Sequence, residues 1–309
     1  MPDTIVDSGP VPVTARDLGG SGHPLLLLHG AGGNLAQMTA LAERLRPAHR
    51  VVTVDLRGHG RSGDGPWHWD DVLTDLVGVA DSLGLLRPAV VGHSLGGMLA
   101  TLWAHRHPDC PGAVSLDGNP TLDRLDQLSG MDPEQAAGDL TRLRATFDAM
   151  GAMLAEPLGA DQVAAALAGQ RAMAQRYDAD PDEWAAAFER NLVPYDDGRS
   201  RLRPGPGLTA QLRVAMSSLD LLPAYRETRS PLLLVLATED LPEQQPFHDL
   251  YAAYRRATAE RLTTVDNSAL RVRHLAGASH AMVAEDPARI AALVTDFLAE
   301  AGQPKRPLT

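Results

Sequence analysis

The sequence has 309 residues, 44% of them hydrophobic and only 4% aromatic, and its formal net charge at pH 7 is −11. The chain is long enough to bury a large core as one elaborated domain or as two smaller ones. Its acidic balance argues against a nucleic-acid partner, because phosphates are bound by clustered Lys and Arg. Lys305 is the only lysine and Cys110 the only cysteine, which argues against Schiff-base catalysis, an internal disulfide and a metal site of several thiolates.

The beginning of the chain has no positively charged segment followed by an apolar stretch, so no signal peptide is expected. No apolar run approaches the ~20 residues that cross a bilayer, which predicts no membrane partner. A cytoplasmic protein is therefore the expectation. The sequence suggests no cofactor and no metal site, and it leaves the oligomeric state open.

Strands and helices are predicted to alternate over the first 118 residues. Short apolar or alternating runs predict strands at residues 11–16, 25–28, 51–54, 88–91 and 113–116. Apolar residues at helical spacing predict helices at residues 35–45, 69–83 and 95–106. This alternation is typical of an α/β fold, a mostly parallel, doubly wound sheet with helices on both faces.

The pattern changes between Asn119 and Arg229, where only helical patterns are visible. Two helix starts in this block carry Asp-Pro, at Asp132 and Asp180, where aspartate suits the N-cap and proline the first helical position. A buried strand at 231–236, a helix at 247–257, a strand at 272–275 and a last helix to about residue 301 follow. The predicted organisation is a core of residues 1–118 and 230–309 with a helical cap inserted at 119–229, and the chain from Gln303 is expected to be a loose tail.

The run Gly92-His93-Ser94-Leu95-Gly96 lies between a predicted strand and a predicted helix. It matches G-x-S-x-G, the nucleophile elbow, in which a serine occupies a sharp turn and the positions two before and two after lack side chains. The helix that begins there aims its unpaired N–H groups at an oxyanion formed beside Ser94. The run therefore predicts a nucleophilic serine.

A serine nucleophile needs a base and usually an acid that orients the base. His280 follows the last predicted strand and Asp240 follows the strand before it, so both are expected at the same sheet edge as Ser94. The order serine, aspartate, histidine is the one found in α/β-hydrolases. Asp117 also follows a predicted strand and stays an alternative for the acid.

The chain resembles the cap-bearing branch of the α/β-hydrolase superfamily over about residues 11–118 and 230–301. The motifs that carry the resemblance are His29-Gly30, Asp55-Leu56-Arg57-Gly58-His59-Gly60-Arg61-Ser62, Gly92-His93-Ser94-Leu95-Gly96, Asp240 and His280. One position departs from the family, because the acid-bearing strand more often ends G-x-x-D and Ala237 replaces that glycine here.

The resemblance implies a role for each matching residue. Ser94 would attack a carbonyl carbon, His280 would take and return the proton, and Asp240 would orient His280. The backbone N–H groups of Ala31 and Leu95 would form the oxyanion hole. Further expectations are substrate contacts from His29, Gly30 and Asn34, although Asn34 also suits the N-cap of the helix predicted at 35–45. Asp55, Arg57 and His59 are expected to hold their own loop and His93 to pack against a strand end.

The function expected on these grounds is hydrolysis of a carboxylic ester, a lactone or a related acyl compound of modest size. A lyase, cyclase or perhydrolase with the same triad, or a ligand receptor on a hydrolase scaffold, are the alternatives. Gly30-Ala31-Gly32-Gly33 followed by Asp55 imitates a dinucleotide-binding fingerprint, but Leu35 occupies the place of the third glycine. A nucleotide-binding oxidoreductase is therefore disfavoured.

Overall fold

A mostly parallel sheet flanked by helices forms the centre of the computed structural model, which describes residues 2–7 and 9–301. The predicted tail from Gln303 lies outside the described residues. The strands are β1 (Thr4–Val6), β2 (Val13–Gly19), β3 (His23–Leu28), β4 (His49–Asp55), β5 (Ala89–His93), β6 (Ala113–Leu116), β7 (Leu192–Pro194), β8 (Ser200–Leu202), β9 (Leu232–Ala237) and β10 (Leu270–Leu275).

Helices cover both faces of the sheet and make up most of the segment between β6 and β9. They are α1 (Thr39–Leu45), α2 (Trp69–Ser82), α3 (Leu95–Arg106), α4 (Pro133–Ala155), α5 (Ala160–Arg176), α6 (Pro181–Glu189), α7 (Pro206–Ser218), α8 (Leu222–Glu227), α9 (His248–Thr263), α10 (Met282–Glu285) and α11 (Pro287–Ala301). Short 3-10 helices span Leu35–Met38, Leu125–Gln127 and Pro242–Phe247. None of the helices in the described part of the chain combines the length and the apolar character needed to cross a membrane.

The sheet has eight strands in the order β1-β2-β4-β3-β5-β6-β9-β10. Only β1 and β2 run antiparallel to their neighbours, and the remaining pairs are parallel. Successive side chains of β3 show why its run of leucines is apolar throughout. Leu26 and Leu28 pack into one hydrophobic cluster and Leu25 and Leu27 into the cluster on the opposite face, because side chains alternate across a strand. The predicted doubly wound α/β fold is confirmed.

The carboxyl ends of the parallel strands meet at one edge of the sheet. We call this edge the sheet rim, and it consists of the last residues of β4, β5 and β9 together with the residues that follow these strands and β3, β6 and β10. They are residues 29–34, 55–62, 93–95, 117–119, 237–240 and 276–280. The rim is the place where the predicted chemical groups are brought together.

The residues from 119 to 229, which we call the inserted segment, contain helices α4 to α8. The side chain of Asp132 accepts hydrogen bonds from the N–H groups of Glu134 and Gln135, and Asp180 caps α6 in the same way. Both predicted helix starts are confirmed. The prediction of helices alone is wrong, because β7 and β8 form a hairpin in which Leu192 pairs with Leu202. Its strands have only three residues each, too few to show an alternating pattern.

Candidate active site

Ser94 occupies the sharp turn between β5 and α3 with a backbone φ of 53° and ψ of −116°. An L-residue rarely adopts this conformation, and such strain persists where the surrounding structure imposes it. A Cβ atom on Gly92 would lie 1.9 Å from the carbonyl oxygen of Gly96, and one on Gly96 would lie 2.4 Å from that of Leu28. Crossing backbone therefore excludes side chains at both flanking positions, as the motif requires.

Leu95 is the first residue of α3, so its N–H has no partner within the helix. The N–H of Ser94 itself is used, because it donates to the carbonyl of Leu116 at 2.9 Å. The first turn of α3 thus directs unpaired donors and the positive end of the helix dipole toward the space beside Ser94. An anion at this place is stabilised by these groups.

His280 pairs with Asp117 in the structure. Its Nδ1–H donates to Asp117 Oδ2 at 2.6 Å. The other carboxylate oxygen of Asp117 accepts from the N–H of Ala237 at 3.1 Å and from Asn119 Nδ2 at 3.2 Å. With Nδ1 donating to the carboxylate, Nε2 of His280 is left as the acceptor nitrogen, which is the arrangement a general base needs.

Several donors hold the Asp117 carboxylate ionised. Burial by itself raises its pKa, but the hydrogen bond and the charge of His280, together with the hydrogen bond from Ala237, outweigh burial and leave the pKa below its ordinary value. A carboxylate that stays charged over a wide pH range stabilises an imidazolium at His280.

The expectation that Asp240 orients His280 is wrong in this structure. The Asp240 side chain is buried, with 1% exposed, and it is bound instead by Arg255 and by Nδ1 of His248, the latter at 2.5 Å. Both partners lie on α9, so Asp240 ties the end of β9 to that helix. The alternative acid, Asp117, has the geometry that Asp240 lacks.

His93 connects the serine turn with the base. Its Nε2–H donates to the backbone carbonyl of His280 at 2.7 Å, and the two rings lie 4.9 Å apart. Burial lowers the pKa of His93 to about 4, so the ring is neutral near pH 7. Because of its hydrogen bond, His93 holds the His280 backbone next to Ser94, consistent with the packing role expected for it.

Within the described residues Ser94 Oγ has no hydrogen bond. The hydrogen bond between a nucleophile and its base is often long in unliganded enzymes and shortens when substrate binds.

His29 was expected to contact substrate, and the structure places it elsewhere. The ring is fully buried, its Nε2 accepts from the N–H of Leu56 at 3.0 Å and its Nδ1–H donates to the carbonyl of Gly30 at 2.7 Å. Burial lowers the pKa of His29 to about 4, which keeps it neutral. Because both ring nitrogens bind backbone groups, His29 shapes the loop and does not face a substrate.

The hydrogen bond from His29 determines the direction of the next peptide group. The carbonyl of Gly30 also accepts from the N–H of Gly33 at 3.0 Å, so two donors hold it toward the protein interior. A trans peptide is planar, with its C=O and N–H on opposite sides. The N–H of Ala31, which belongs to that peptide, therefore points away from the interior, and Ala31 is exposed at the rim.

Gly30 lies directly beside the serine. A Cβ atom on Gly30 would stand 3.2 Å from Ser94 Cβ and 3.3 Å from His93 Nδ1. Its backbone thus borders the space in front of Ser94, as expected for a residue that meets substrate. The neighbouring Asn34 does not reach this space, and its expected substrate contact is wrong. It is fully buried, accepts from the N–H of Ala36 at 3.0 Å and donates to the carbonyl of Ala187 at 2.6 Å.

Arg190 and Asn191, at the end of α6, reach the rim, and no sequence motif predicts a role for them. Arg190 forms a two-pronged ion pair with the fully buried Asp55, with Nη2 to Oδ2 at 2.6 Å, and also binds Asp3 at 2.7 Å. Asp55 in turn accepts from the N–H groups of Leu35 and Arg61, both at 2.8 Å. No local sequence pattern marks these contacts, because Arg190 is separated from Asp55 by 135 positions and from Asp3 by 187.

Comparison with known proteins identifies the family of this chain. Residues 25–293 match the model of the alpha/beta hydrolase family. The 2-(acetamidomethylene)succinate hydrolase of Mesorhizobium japonicum is 32% identical over 236 residues, which are 74% of this chain and 75% of that protein. The pimeloyl-[acyl-carrier protein] methyl ester esterase of Chromobacterium violaceum is 42% identical over 98 residues, 31% of this chain and 37% of its own, so that likeness is local.

Solved structures show the same fold over nearly the whole chain. The crystal structure of an E-2-(acetamidomethylene)succinate hydrolase superposes with a TM-score of 0.66 at 23% identity and covers 96% of this chain and 99% of that one. The enol-lactonase of Burkholderia xenovorans superposes with a TM-score of 0.61 at 21% identity and covers 96% and 100%. The chain therefore belongs to the alpha/beta hydrolase family, and it is a hydrolase.

Proposed function

We propose that the protein is a serine hydrolase that cleaves a carboxylic ester, a lactone or a related acyl bond through an acyl-enzyme. Ser94 is the nucleophile, His280 the general base and Asp117 the orienting acid. The observation that carries the proposal is the hydrogen bond between His280 Nδ1 and Asp117 Oδ2 at 2.6 Å, next to a serine in a strained elbow. Asp117 takes the role first expected for Asp240.

In this mechanism Ser94 Oγ attacks the carbonyl carbon while Nε2 of His280 removes the hydroxyl proton. The negative charge that develops on the carbonyl oxygen is stabilised by the N–H groups of Leu95 and Ala31, each worth about 3 kcal/mol in such sites. His280 then returns the proton to the leaving group. Water, activated by the same histidine, releases the acyl group from Ser94.

The proposed substrate class rests on what the reaction centre can do and on the relatives. The site offers a nucleophile, a base and donors for an oxyanion, a set that acts on a carbonyl carbon bearing a leaving heteroatom. The relatives compared above are named for an acetamido compound and for a methyl ester. Both carry acyl bonds of this kind, so the substrate is proposed to be a small acyl compound.

We further propose that residues 119–229 act as a cap on a core of residues 1–118 and 230–309. The support is the contact between the end of α6 and the rim, where Arg190 and Asn191 bind loops that follow β3 and β4. A cap at this place excludes water and selects the acyl group.

A labelling experiment tests the nucleophile. A fluorophosphonate probe is expected to modify Ser94, detected by mass spectrometry of the peptide that contains it. Turnover of a panel of p-nitrophenyl esters and lactones should disappear in Ser94→Ala and persist in Ser218→Ala, which changes an exposed serine of α7. An unlabelled Ser94 in folded protein, or activity that survives in Ser94→Ala, would remove the proposal. Detection of the free acid product separates hydrolysis from a lyase or transfer reaction.

A further inference from the structure

We infer that Asn191, a residue of the inserted segment, positions the backbone N–H of Ala31. Assembly of the oxyanion hole would then depend on contact between the inserted segment and the core. The inference rests on the proposed function for its catalytic consequence. Its structural part, that Asn191 fixes the 29–34 loop (residues His29 to Asn34), stands on contacts alone. Asn191 touches no reacting atom, so it is a positioning residue.

Asn191 is held in one orientation at the boundary between the inserted segment and the core. Its side chain is buried, with the residue 4% exposed, and Oδ1 accepts from the N–H of Gly60 at 3.0 Å and from Asn34 Nδ2 at 3.1 Å. A backbone N–H can only donate, which fixes Oδ1 as the atom facing Gly60. The amide nitrogen is thereby directed to the other side.

That nitrogen binds the 29–34 loop. Asn191 Nδ2 donates to the carbonyl of Gly32 at 2.8 Å. Gly32 is exposed and has a backbone φ of 72°, in the left-handed region, and a Cβ there would meet nothing within 4 Å. This stretch of loop therefore has no side chain of its own to pack, and the hydrogen bond from Asn191 supplies a contact that packing does not.

Two peptide groups connect this contact to the proposed oxyanion donor. The peptide between Gly32 and Gly33 receives Asn191 at its carbonyl, and its N–H donates to the carbonyl of Gly30 at 3.0 Å. The Gly30 carbonyl belongs to the peptide whose N–H is that of Ala31. Since each peptide is planar, orienting the first plane orients the second, and hydrogen bonds in such a chain strengthen one another.

The second of these peptide groups is also held from the protein interior, because His29 donates to the Gly30 carbonyl at 2.7 Å. The core therefore supplies one of the two supports of the Ala31 peptide and the inserted segment supplies the other. Arg190, the preceding residue, anchors the end of α6 through Asp55, which also binds the N–H of Leu35 just beyond the loop. Consecutive residues of the inserted segment thus hold the carbonyl of Gly32 directly and the N–H of Leu35 through Asp55.

The chain offers a matched control in Arg203. Arg203 directly follows the hairpin of β7 and β8, and Asn191 directly precedes it. Arg203 is buried to a similar extent, at 8% exposed, and its Nη1 donates to the carbonyl of Gly60 at 2.9 Å, while Nη2 binds Asp64. These side-chain hydrogen bonds join the inserted segment to the core at residues 60 and 64 and do not involve the 29–34 loop. The backbone N–H of Arg203 donates to the carbonyl of Asn191 at 2.9 Å, and Arg203→Ala keeps this bond, so we expect the variant to loosen the attachment and to retain the Gly32 hydrogen bond.

The test combines amide hydrogen exchange with steady-state kinetics on full-length Asn191→Ala and Arg203→Ala. We expect peptides covering residues 29–37 to exchange at least about tenfold faster in Asn191→Ala and at the wild-type rate in Arg203→Ala. For a p-nitrophenyl ester, kcat should fall at least about tenfold in Asn191→Ala with KM nearly unchanged, because a misdirected oxyanion donor is felt in the transition state.

Wild-type exchange in the 29–34 loop of Asn191→Ala would overturn the inference, as would equal losses of kcat in both variants. If Asn191→Ala does not fold, Asn191→Asp gives the same decision, because it keeps the Oδ1 acceptor and loses the donor to Gly32. Exchange is measured whether or not an ester is turned over. A failure of the serine hydrolase proposal, seen as an unlabelled Ser94 in wild type, is therefore distinguished from a failure of Asn191 to fix the loop.

Discussion

The turn around Ser94, at the sheet rim, and the helices of the inserted segment differ in how closely their backbone is packed. At the turn, a Cβ atom on Gly92 or Gly96, the glycines on either side of the rim residues 93–95, would lie less than 2.5 Å from carbonyl oxygens of crossing chain. In the inserted segment, glycines 138, 151 and 169 lie within helices, and a Cβ atom on any of them would meet nothing within 4 Å. Where backbone segments pass close together, few residue types fit, so the position can be recognised in the sequence. Loosely packed helices accept many residue types and show no such pattern.

The same contrast separates titratable groups. Three rim histidines, at positions 29, 59 and 93, have pKa values lowered chiefly by burial, to about 4, about 3 and about 4. Residues 119–229 contain no histidine. Of these two regions, only the rim therefore has imidazole groups, whereas the inserted segment contacts the rim through Arg190 and Asn191.

The largest effect is expected from the acid of the rim. Asp117→Asn should lower kcat by about 10³ to 10⁴, because an amide no longer fixes the tautomer of His280 or stabilises its charged form. Measurement of kcat and KM on one ester at pH 7.5, with folding checked by circular dichroism, tests this prediction. A loss smaller than about tenfold would mean that His280 has another orienting group.

Asp240→Asn is the matched control, the same substitution at the end of the neighbouring strand. Asp240 binds Arg255 and His248 on α9 and makes no contact with His280, so kcat should remain within about threefold of wild type. A fall comparable to that of Asp117→Asn would reverse the assignment of the acid. The two variants together test whether a carboxylate at the rim contributes to kcat by its position alone or only through a hydrogen bond with His280.

A smaller but still severe effect is expected from Gly96→Ala. The added Cβ would lie 2.4 Å from the Leu28 carbonyl oxygen, which belongs to a strand that cannot move without disturbing its neighbours. Overpacking of this kind costs about 3 kcal/mol of unfolding free energy. Urea denaturation followed by tryptophan fluorescence measures the change. Wild-type stability in this variant would show that the turn is looser than the structure indicates.

Unfolding free energy should also fall with decreasing pH between 6.5 and about 4. The folded protein keeps the imidazoles of His29, His59 and His93 neutral, whereas the unfolded chain protonates them below pH ~6.5. Stability is therefore fully present above pH ~6.5 and decreases below it by about 1.4 kcal/mol per pH unit for each proton taken up on unfolding. Denaturation curves at several pH values should give a smaller slope for His59→Gln than for wild type. If the unfolding free energy fell equally steeply with pH in the two proteins, protonation of His59 on unfolding would not be a cause of the pH dependence.

Much of the rim could be predicted from the sequence because its constraints are local. The G-x-S-x-G turn at Ser94 needs glycines at fixed offsets, and the buried strands before it are apolar on both faces. The positions of Ser94 and His280 after strands follow from the alternation of strands and helices. The glycines after β3 likewise predict a loop that can approach substrate, and the backbone of Gly30 borders the space in front of Ser94.

The choice between Asp117 and Asp240 could not be made from the sequence. Both follow parallel strands, and the difference lies in which partners reach them, Ala237, Asn119 and His280 in one case and α9 in the other. For His29 and Asn34, a place in the same loop as the expected oxyanion donor Ala31 suggested substrate contact. Their burial became visible only once the 29–34 loop was packed against β4 and α6. Contacts between distant segments determine all of these outcomes.

The smallest predicted effect is a gain in unfolding free energy, from a substitution in the inserted segment. Gly138→Ala replaces a glycine inside α4 where a Cβ atom meets nothing within 4 Å, so the native state accepts the methyl group without strain. Alanine also restricts the unfolded chain, and the exchange should raise the unfolding free energy by about 0.5 to 1 kcal/mol with kcat unchanged. Thermal and urea denaturation measure this gain. A destabilised Gly138→Ala would mean that α4 contacts a surface absent from the isolated chain, and the inserted segment would then be as constrained there as the rim.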